Sequence, residues 1–215
     1  MANEILDESK MTKLLNWSYE KAMNGIPGAE TVEELSRNYL NKHNSVEEAI
    51  DSLIRWQNAK GITSGFLTGL GGIVTLPVAI PANIASVMYI QIRLIATIAH
   101  MRGYDLKDDQ VKTFVFVCLT GQAASDVLKQ AGIKIGNSLA REAIKKVPYE
   151  IIKAINKAVG VRLVTKFGTK GLVNLGKAVP LLGGIIGGAV DGIGTNTIGK
   201  TAKKVFNNSK SGTMI

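Results

Sequence analysis

A chain of 215 residues, 46% hydrophobic and 20% charged, can bury a substantial core and is too polar for a multi-span membrane protein. Its net charge of +9 is unevenly placed: residues 1–60 carry 7 basic and 10 acidic side chains, residues 61–126 carry 4 of each, and residues 127–215 carry 15 and 3. The basic C-terminal part suits anionic lipid headgroups, nucleic acid or an acidic protein face.

The first dozen residues, MANEILDESKMT, are acidic and polar and lack the basic start and apolar stretch of a signal peptide. A cytoplasmic location is therefore expected. Residues 12–25 place Leu14, Leu15, Trp17, Ser18 and Ala22 at helical spacing, with Gly25 as a stop. Pro27 and Gly28 make a turn. Thr31 and Glu34 have capping-box spacing and open a helix through Leu40. Ser45 and Glu48 repeat the signature for a helix reaching Lys60, with Ala49, Leu53 and Trp56 on one side.

Between Lys60 and Arg93 lie 32 residues without a charged side chain. About 20 apolar residues cross a bilayer as a helix. This run is long enough, but Gly65, Gly69, Gly71, Gly72, Pro77 and Pro81 interrupt it. A proline removes a backbone donor and clashes with the preceding turn. The expectation is a short helix ending near Val74, a connection, and a long helix from Pro81 to about Arg102, stopped by Gly103: a Gly/Pro-broken central hairpin.

Asp105 or Asp108 caps a helix expected over residues 108–131, with the stripe Val111, Val115, Leu119 and Ala123. Cys118, the only cysteine, lies in this apolar stretch and reads as a buried, inert thiol. Helices follow near 137–146 and from Tyr149 to Phe167, then a glycine-rich helix within 180–206. Runs of alternating β-branched residues bounded by hairpin turns are missing. The fold class is therefore all-α, a single helical bundle, with residues 1–44 as an N-terminal helical appendage, 45–206 as the main domain and 207–215 as a flexible tail.

Several segments together resemble the EcsC family of bacterial proteins. They are Ser64 to Gly72 (SGFLTGLGG), Leu76 to Pro81 (LPVAIP), Ile90 to Arg93 (IQIR), Gly103 to Leu106 (GYDL), Cys118 to Gly121 (CLTG), and Val179 to Gly184 (VPLLGG) with Asp191 beyond. They occur in order across roughly residues 45–206. The resemblance implies a helical domain and supplies no catalytic motif.

Three constellations could carry chemistry. On the helix after Pro81, Asn83, Ser86, Arg93, Thr97 and His100 share one face. Either that face is solvated, or Arg93 is buried and needs a carboxylate or a bound anion, because an unpaired buried charge is costly. Asp191, four residues before Thr195, is the acidic residue expected to pair with Arg93. Second, Gly183, Gly184, Gly187 and Gly188 overlap as small-x-x-x-small pairs, which suit close helix packing in a bundle or a membrane; Gly69, Gly71 and Gly72 are the matching small residues of the neutral run. Third, Lys153, Lys157, Arg162, Lys166 and Lys170 are mostly four apart, beside the apolar stripe Ile152, Ile155, Val159, Leu163 and Phe167. This suits a helix lying on an anionic membrane, or a core-facing helix with solvated lysines.

Enzyme signals are poor. His43 and His100 are not at metal-ligand spacing, and the chain lacks a Cys-x-x-Cys, a P-loop and a Gly-x-Ser-x-Gly elbow. Asp105, Asp108 and Asp109 are better read as helix caps than as a metal cluster. No metal, cofactor or catalytic residue is expected. Nucleic acid is disfavoured, since aromatic residues are scarce in the basic region. The expectation is peripheral, non-enzymatic attachment to the inner face of the membrane, through anionic lipid and with insertion of neutral segments, or through contact with a membrane protein such as a transporter.

Overall fold

The computed structural model describes residues 6–26, 29–60, 80, 82–133, 141–167 and 186–207; for residues 57–60, 82, 83 and 186–193 it describes the backbone only. The first arm of the expected Gly/Pro-broken hairpin, with Gly69, Gly71 and Gly72, lies outside these residues, as do Lys170, Gly183 and Gly184. The described chain is an all-α bundle. In chain order the helices are α1 (Glu8–Asn24), α2 (Val32–Leu40), α3 (Val46–Lys60), α4 (Ala82–Met101) and α5 (Asp109–Cys118). A 3₁₀ turn (Gly121–Ala123) leads to α6 (Ala124–Gln130), followed by α7 (Arg141–Lys145), α8 (Tyr149–Phe167) and α9 (Ile186–Val205).

Local chemistry accounts for the helix starts. The Asp7 carboxylate accepts from the Lys10 N–H at 2.8 Å, so α1 begins four residues before the expected position. Thr31 and Glu34 form the full capping box: the Glu34 N–H donates to the Thr31 hydroxyl at 3.2 Å and the Thr31 N–H donates to Glu34 Oε2 at 2.8 Å. The bond from the Thr31 N–H, with a second from the Thr31 hydroxyl at 3.0 Å, holds the Glu34 carboxyl below its ordinary value. At α3 the Ser45 hydroxyl accepts from the Glu48 N–H, but the returning carboxylate takes the Asn44 N–H.

The helix expected over 108–131 is instead two helices. The helical run ends after Cys118, and Gly121 follows at φ +60, a left-handed conformation that side-chain-bearing residues rarely adopt. Its open side faces α9, where a Cβ would sit 3.6 Å from Thr197 Cγ2. The break brings the backbone close to the C-terminal helix.

Helix α4 is the axis of the bundle. Met88, Tyr89, Ile92, Leu94, Ile95, Ala96, Ile98 and Ala99 are all buried, and α1, α2, α3, α5 and α9 pack around them. Met11, Leu14 and Leu15 of α1 share this core with Ile50 and Leu53 of α3 and Ala202 and Val205 of α9, so the helices on both sides of residue 44 form one core. Tyr19 seals it towards α5: its hydroxyl donates to the Leu106 carbonyl at 2.6 Å and its ring meets Phe116 edge-on. Cys118 is fully buried, and burial pushes its thiol far above the ordinary range. A thiol-reactive dye is expected to leave the native protein unlabelled and to react fully in denaturant. Native labelling at the rate of a free thiol would contradict this burial.

Helix α9 sits unusually close to α3. A Cβ on Gly199 would lie 2.8 Å from Ile54 Cγ1 and 3.2 Å from both Cδ1 and Cγ2 of the same side chain. Ile54 is itself buried, so it has little room to yield. Gly199→Ala gains roughly 1 kcal/mol of helix propensity but overpacks this contact, which typically costs about 1–3 kcal/mol. We expect a net loss of about 1 kcal/mol in denaturant unfolding. In an Ile54→Ala background the same change should stabilise the protein, because the clash is gone.

Candidate functional site

Helix α8 divides its surface between core and solvent. Pro148 precedes its first residue, Tyr149, and fits the start of a helix because its missing N–H needs no partner there. Ile152, Ile155, Val159 and Leu163 face inward and are buried. The apolar stripe noted in the sequence therefore packs in the core and leaves no membrane-facing ridge of its own, apart from the half-buried Phe167. Asn156 ties α8 to α5 through a bond from its Nδ2 to Thr113 Oγ1 at 3.2 Å.

The outward side carries the basic residues. Lys153, Lys157, Arg162 and Lys166 are all exposed. At 100° per residue, Ala154, Ala158, Val161 and Thr165 fall within about 60° of arc on this side. Lys157 and Arg162 border that strip on its two sides; Lys153 and Lys166 lie about 40° further round on each side, so the four cations span about 220° of the helix. Tyr149 is 63% exposed at the head of the helix, with the Lys153 ammonium 4.5 Å from its ring centre. Lys153 also approaches Glu150 at 4.0 Å. At the far end Lys166 lies 5.0 Å from the Phe167 ring and 3.5 Å from the Leu119 carbonyl. Its charge there complements the negative end of the helix dipole.

Between this face and the 120–130 segment runs an open groove of about 740 Å³. Ala123, Ala154, Ala158, Val161 and Leu163 supply apolar walls. Thr120, Gln130, Lys157, Arg162, Thr165 and Lys166 supply polar atoms, and none of the described lining residues is acidic. Thr120 is at the Lys166 end, because Lys166 reaches the neighbouring Leu119. The basic amphipathic pattern contains four of the groove's residues, Lys157, Arg162, Leu163 and Lys166. It does not contain Thr120, Ala123 and Gln130, which only tertiary folding brings alongside.

The polar seam of α4 meets the connection between α1 and α2. Ser86 and Thr97 are buried, and Thr97 Oγ1 donates back to the Arg93 carbonyl at 2.7 Å. The Arg93 side chain is 13% exposed and reaches Glu30, in the connection between α1 and α2: its Nε donates to the Glu30 carbonyl at 3.0 Å and a terminal nitrogen lies 3.8 Å from the carboxylate. Arg93 therefore has a carboxylate from the α1–α2 connection, and the pair staples that connection to the central helix. The Asp191 and Asn83 side chains are outside the described residues, and Thr195 is buried on α9. Gly187 and Gly188 lie in the backbone of α9. Of the described seam residues, Ser86, Arg93, Thr97 and Thr195 do not line the groove.

A second charged cluster joins three helices. Arg102, 6% exposed, contacts Glu47 and donates to Asn207 Oδ1 at 3.0 Å. Lys203 of α9 lies 3.1 Å from Glu47 and 2.6 Å from Asp51 of α3. Burial lowers the affinity of Lys203 for its proton, but the bonds to Asp51 and Glu47 outweigh that and raise its pKa overall. The Asp105–Asp109 group serves local ends. Asp105 accepts from the Lys107 N–H at 2.9 Å; Asp108 occupies the α5 N-cap position, but its side chain makes no capping bond and lies 3.9 Å from Lys145 instead.

The model of the EcsC protein family matches residues 1–208. The chain belongs to the EcsC family. The match includes the first 44 residues, in keeping with the shared core of α1, α2 and the later helices. No curated protein and no solved structure matches this EcsC-family chain. One described segment of this EcsC-family bundle, Ile84–Met101 of α4, has the length and mean hydropathy (1.4) to cross a membrane, and 78% of it is buried inside the bundle.

Proposed function

We propose that this EcsC-family protein is a non-enzymatic peripheral membrane protein that attaches to anionic lipid through the outer face of α8. The observation that carries the reading is the cluster of four exposed cations on one 19-residue helix, around a strip of small residues that would not hold the helix away from a flat surface. Each basic side chain near an anionic surface contributes about 1 kcal/mol. The exposed Tyr149 adds an amphipathic ring at the headgroup level. The site faces the cytoplasmic leaflet, where anionic lipids are concentrated.

Peripheral attachment suits the bundle better than spanning. Helix α4 would have to leave its contacts with five other helices before reaching lipid. A deeper insertion of the neutral 62–80 region belongs to a stronger form of the same reading. Flotation with purified protein tests it. The protein should float with vesicles containing anionic lipid, stay behind with purely zwitterionic vesicles, and be released by high salt, because exposed charges are screened beyond about 10 Å at 0.1 M. Failure to float with either vesicle would remove direct lipid binding and leave a membrane-protein partner.

A further inference from the structure

The groove beside α8 holds more than a diffuse charge. We infer that it is a binding site for one anionic phospholipid, with the phosphate held by Arg162 and Lys166 and the first part of an acyl chain lying over Ala154, Ala158 and Val161. This inference rests on the surface reading above and sharpens it.

The chemistry follows from the order of groups along the groove. Arg162 and Lys166 are one turn apart, roughly 6 Å, close enough to share one phosphate. Arg162 can grip two phosphate oxygens at once, and Lys166 supplies a point charge. Thr120 and Thr165 lie at the same end. The wall towards Ala154 carries the methyl groups of Ala154 and Ala158, with Lys157 beside them; the methyl groups offer a phosphate nothing but can cover a hydrocarbon chain. A volume of about 740 Å³ is more than a free phosphate fills and is in the range of sites for small amphiphilic ligands. The acid-free lining favours an anion over a zwitterion or a cationic peptide.

Calorimetric titration of the full chain with a short-chain phosphatidic acid below its micelle concentration tests the site. The wild-type protein should bind one molecule saturably, at least tenfold more tightly than inorganic phosphate and than a short-chain phosphatidylcholine. Arg162→Gln/Lys166→Gln should weaken binding at least tenfold. Lys13→Gln/Lys42→Gln, with the same loss of charge on exposed positions of α1 and of the turn between α2 and α3, should bind as the wild type does. Ala158→Trp fills the groove without touching a charge; it should lose the monomeric lipid at least tenfold yet stay within about threefold of the wild type on anionic vesicles. Equal weakening by the two charge pairs, phosphate binding as well as the lipid, or full lipid binding by Ala158→Trp would each overturn the groove. If no monomeric lipid binds but anionic vesicles still retain the protein, the groove fails and the surface reading stands. If both are lost, both fail.

Discussion

Replacing Lys153, Lys157, Arg162 and Lys166 together with glutamine is expected to weaken attachment to anionic vesicles by about 10²–10³-fold. Four residues at about 1 kcal/mol each set the upper end. The lower end allows for Lys153, which already shares its charge with Glu150, and for Lys166, which lies against Leu119. The fold should survive, because all four side chains are exposed and the inward face of α8 is untouched. Partition measured against rising lipid concentration gives the ratio, and circular dichroism checks the helix content. The salt dependence should flatten in the same variant. A change of less than threefold would show that these cations do not drive attachment.

Glu47→Ala is expected to cost about 3 kcal/mol of stability, and to lower the thermal midpoint by roughly 6–12 °C. The carboxylate of Glu47 faces both Arg102 and Lys203, and the Arg102 side chain is 6% exposed. Removing the carboxylate leaves a buried guanidinium short of its counter-charge, whereas Lys203 keeps Asp51. Because Glu47 is itself 54% exposed, we place the loss at the lower end of what breaking a buried pair costs. Replacing both partners, Glu47→Leu with Arg102→Met, should recover most of the loss, since no buried charge remains. The sign of the pH dependence follows from Lys203. Its pKa is raised, so its contribution is complete below the ordinary lysine value of about 10.4 and fades as pH rises through the folded value. The clasp between α3 and α9 should therefore hold at neutral pH and loosen in alkali as Lys203 loses its charge. A Glu47→Ala protein with an unchanged midpoint would mean that α9 is held by its apolar contacts alone.

Sequence patterns specified those parts of the fold whose cause is local. The capping box at Thr31 and Glu34 is present as its spacing requires, and Gly103, at φ +75, stops α4 as expected. The start of α1 was hidden because Asp7 caps it from within a stretch that is polar throughout. The break after Cys118 has a tertiary cause: Gly121 turns the chain against Thr197, 76 residues away in sequence. Arg93 was legible as a cation in need of an acid. Its described partner, Glu30, lies 63 residues earlier, in a connection that helical periodicity does not place. The glycine pattern pointed to close packing around residues 183–188, whose contacts lie outside the described residues; a tight helix–helix approach that is described lies at Gly199, where Ile54 supplies the opposing surface. The cations of α8 could be read directly, but the groove could not. Its second wall comes from the 120–130 segment, and a one-helix pattern contains no information about what packs beside it.

The central claim concerns which side of the molecule meets lipid, and the buried Cys118 makes that measurable. A polarity-sensitive fluorophore attached at Val161→Cys reports on the outer face of α8, and one at Asn16→Cys reports on an exposed position of α1. Adding anionic vesicles should shift the emission of the first to the blue and leave the second unchanged, and neutral vesicles should move neither. An unshifted label at position 161 in vesicle-bound protein, or an equal shift at position 16, would contradict attachment through α8.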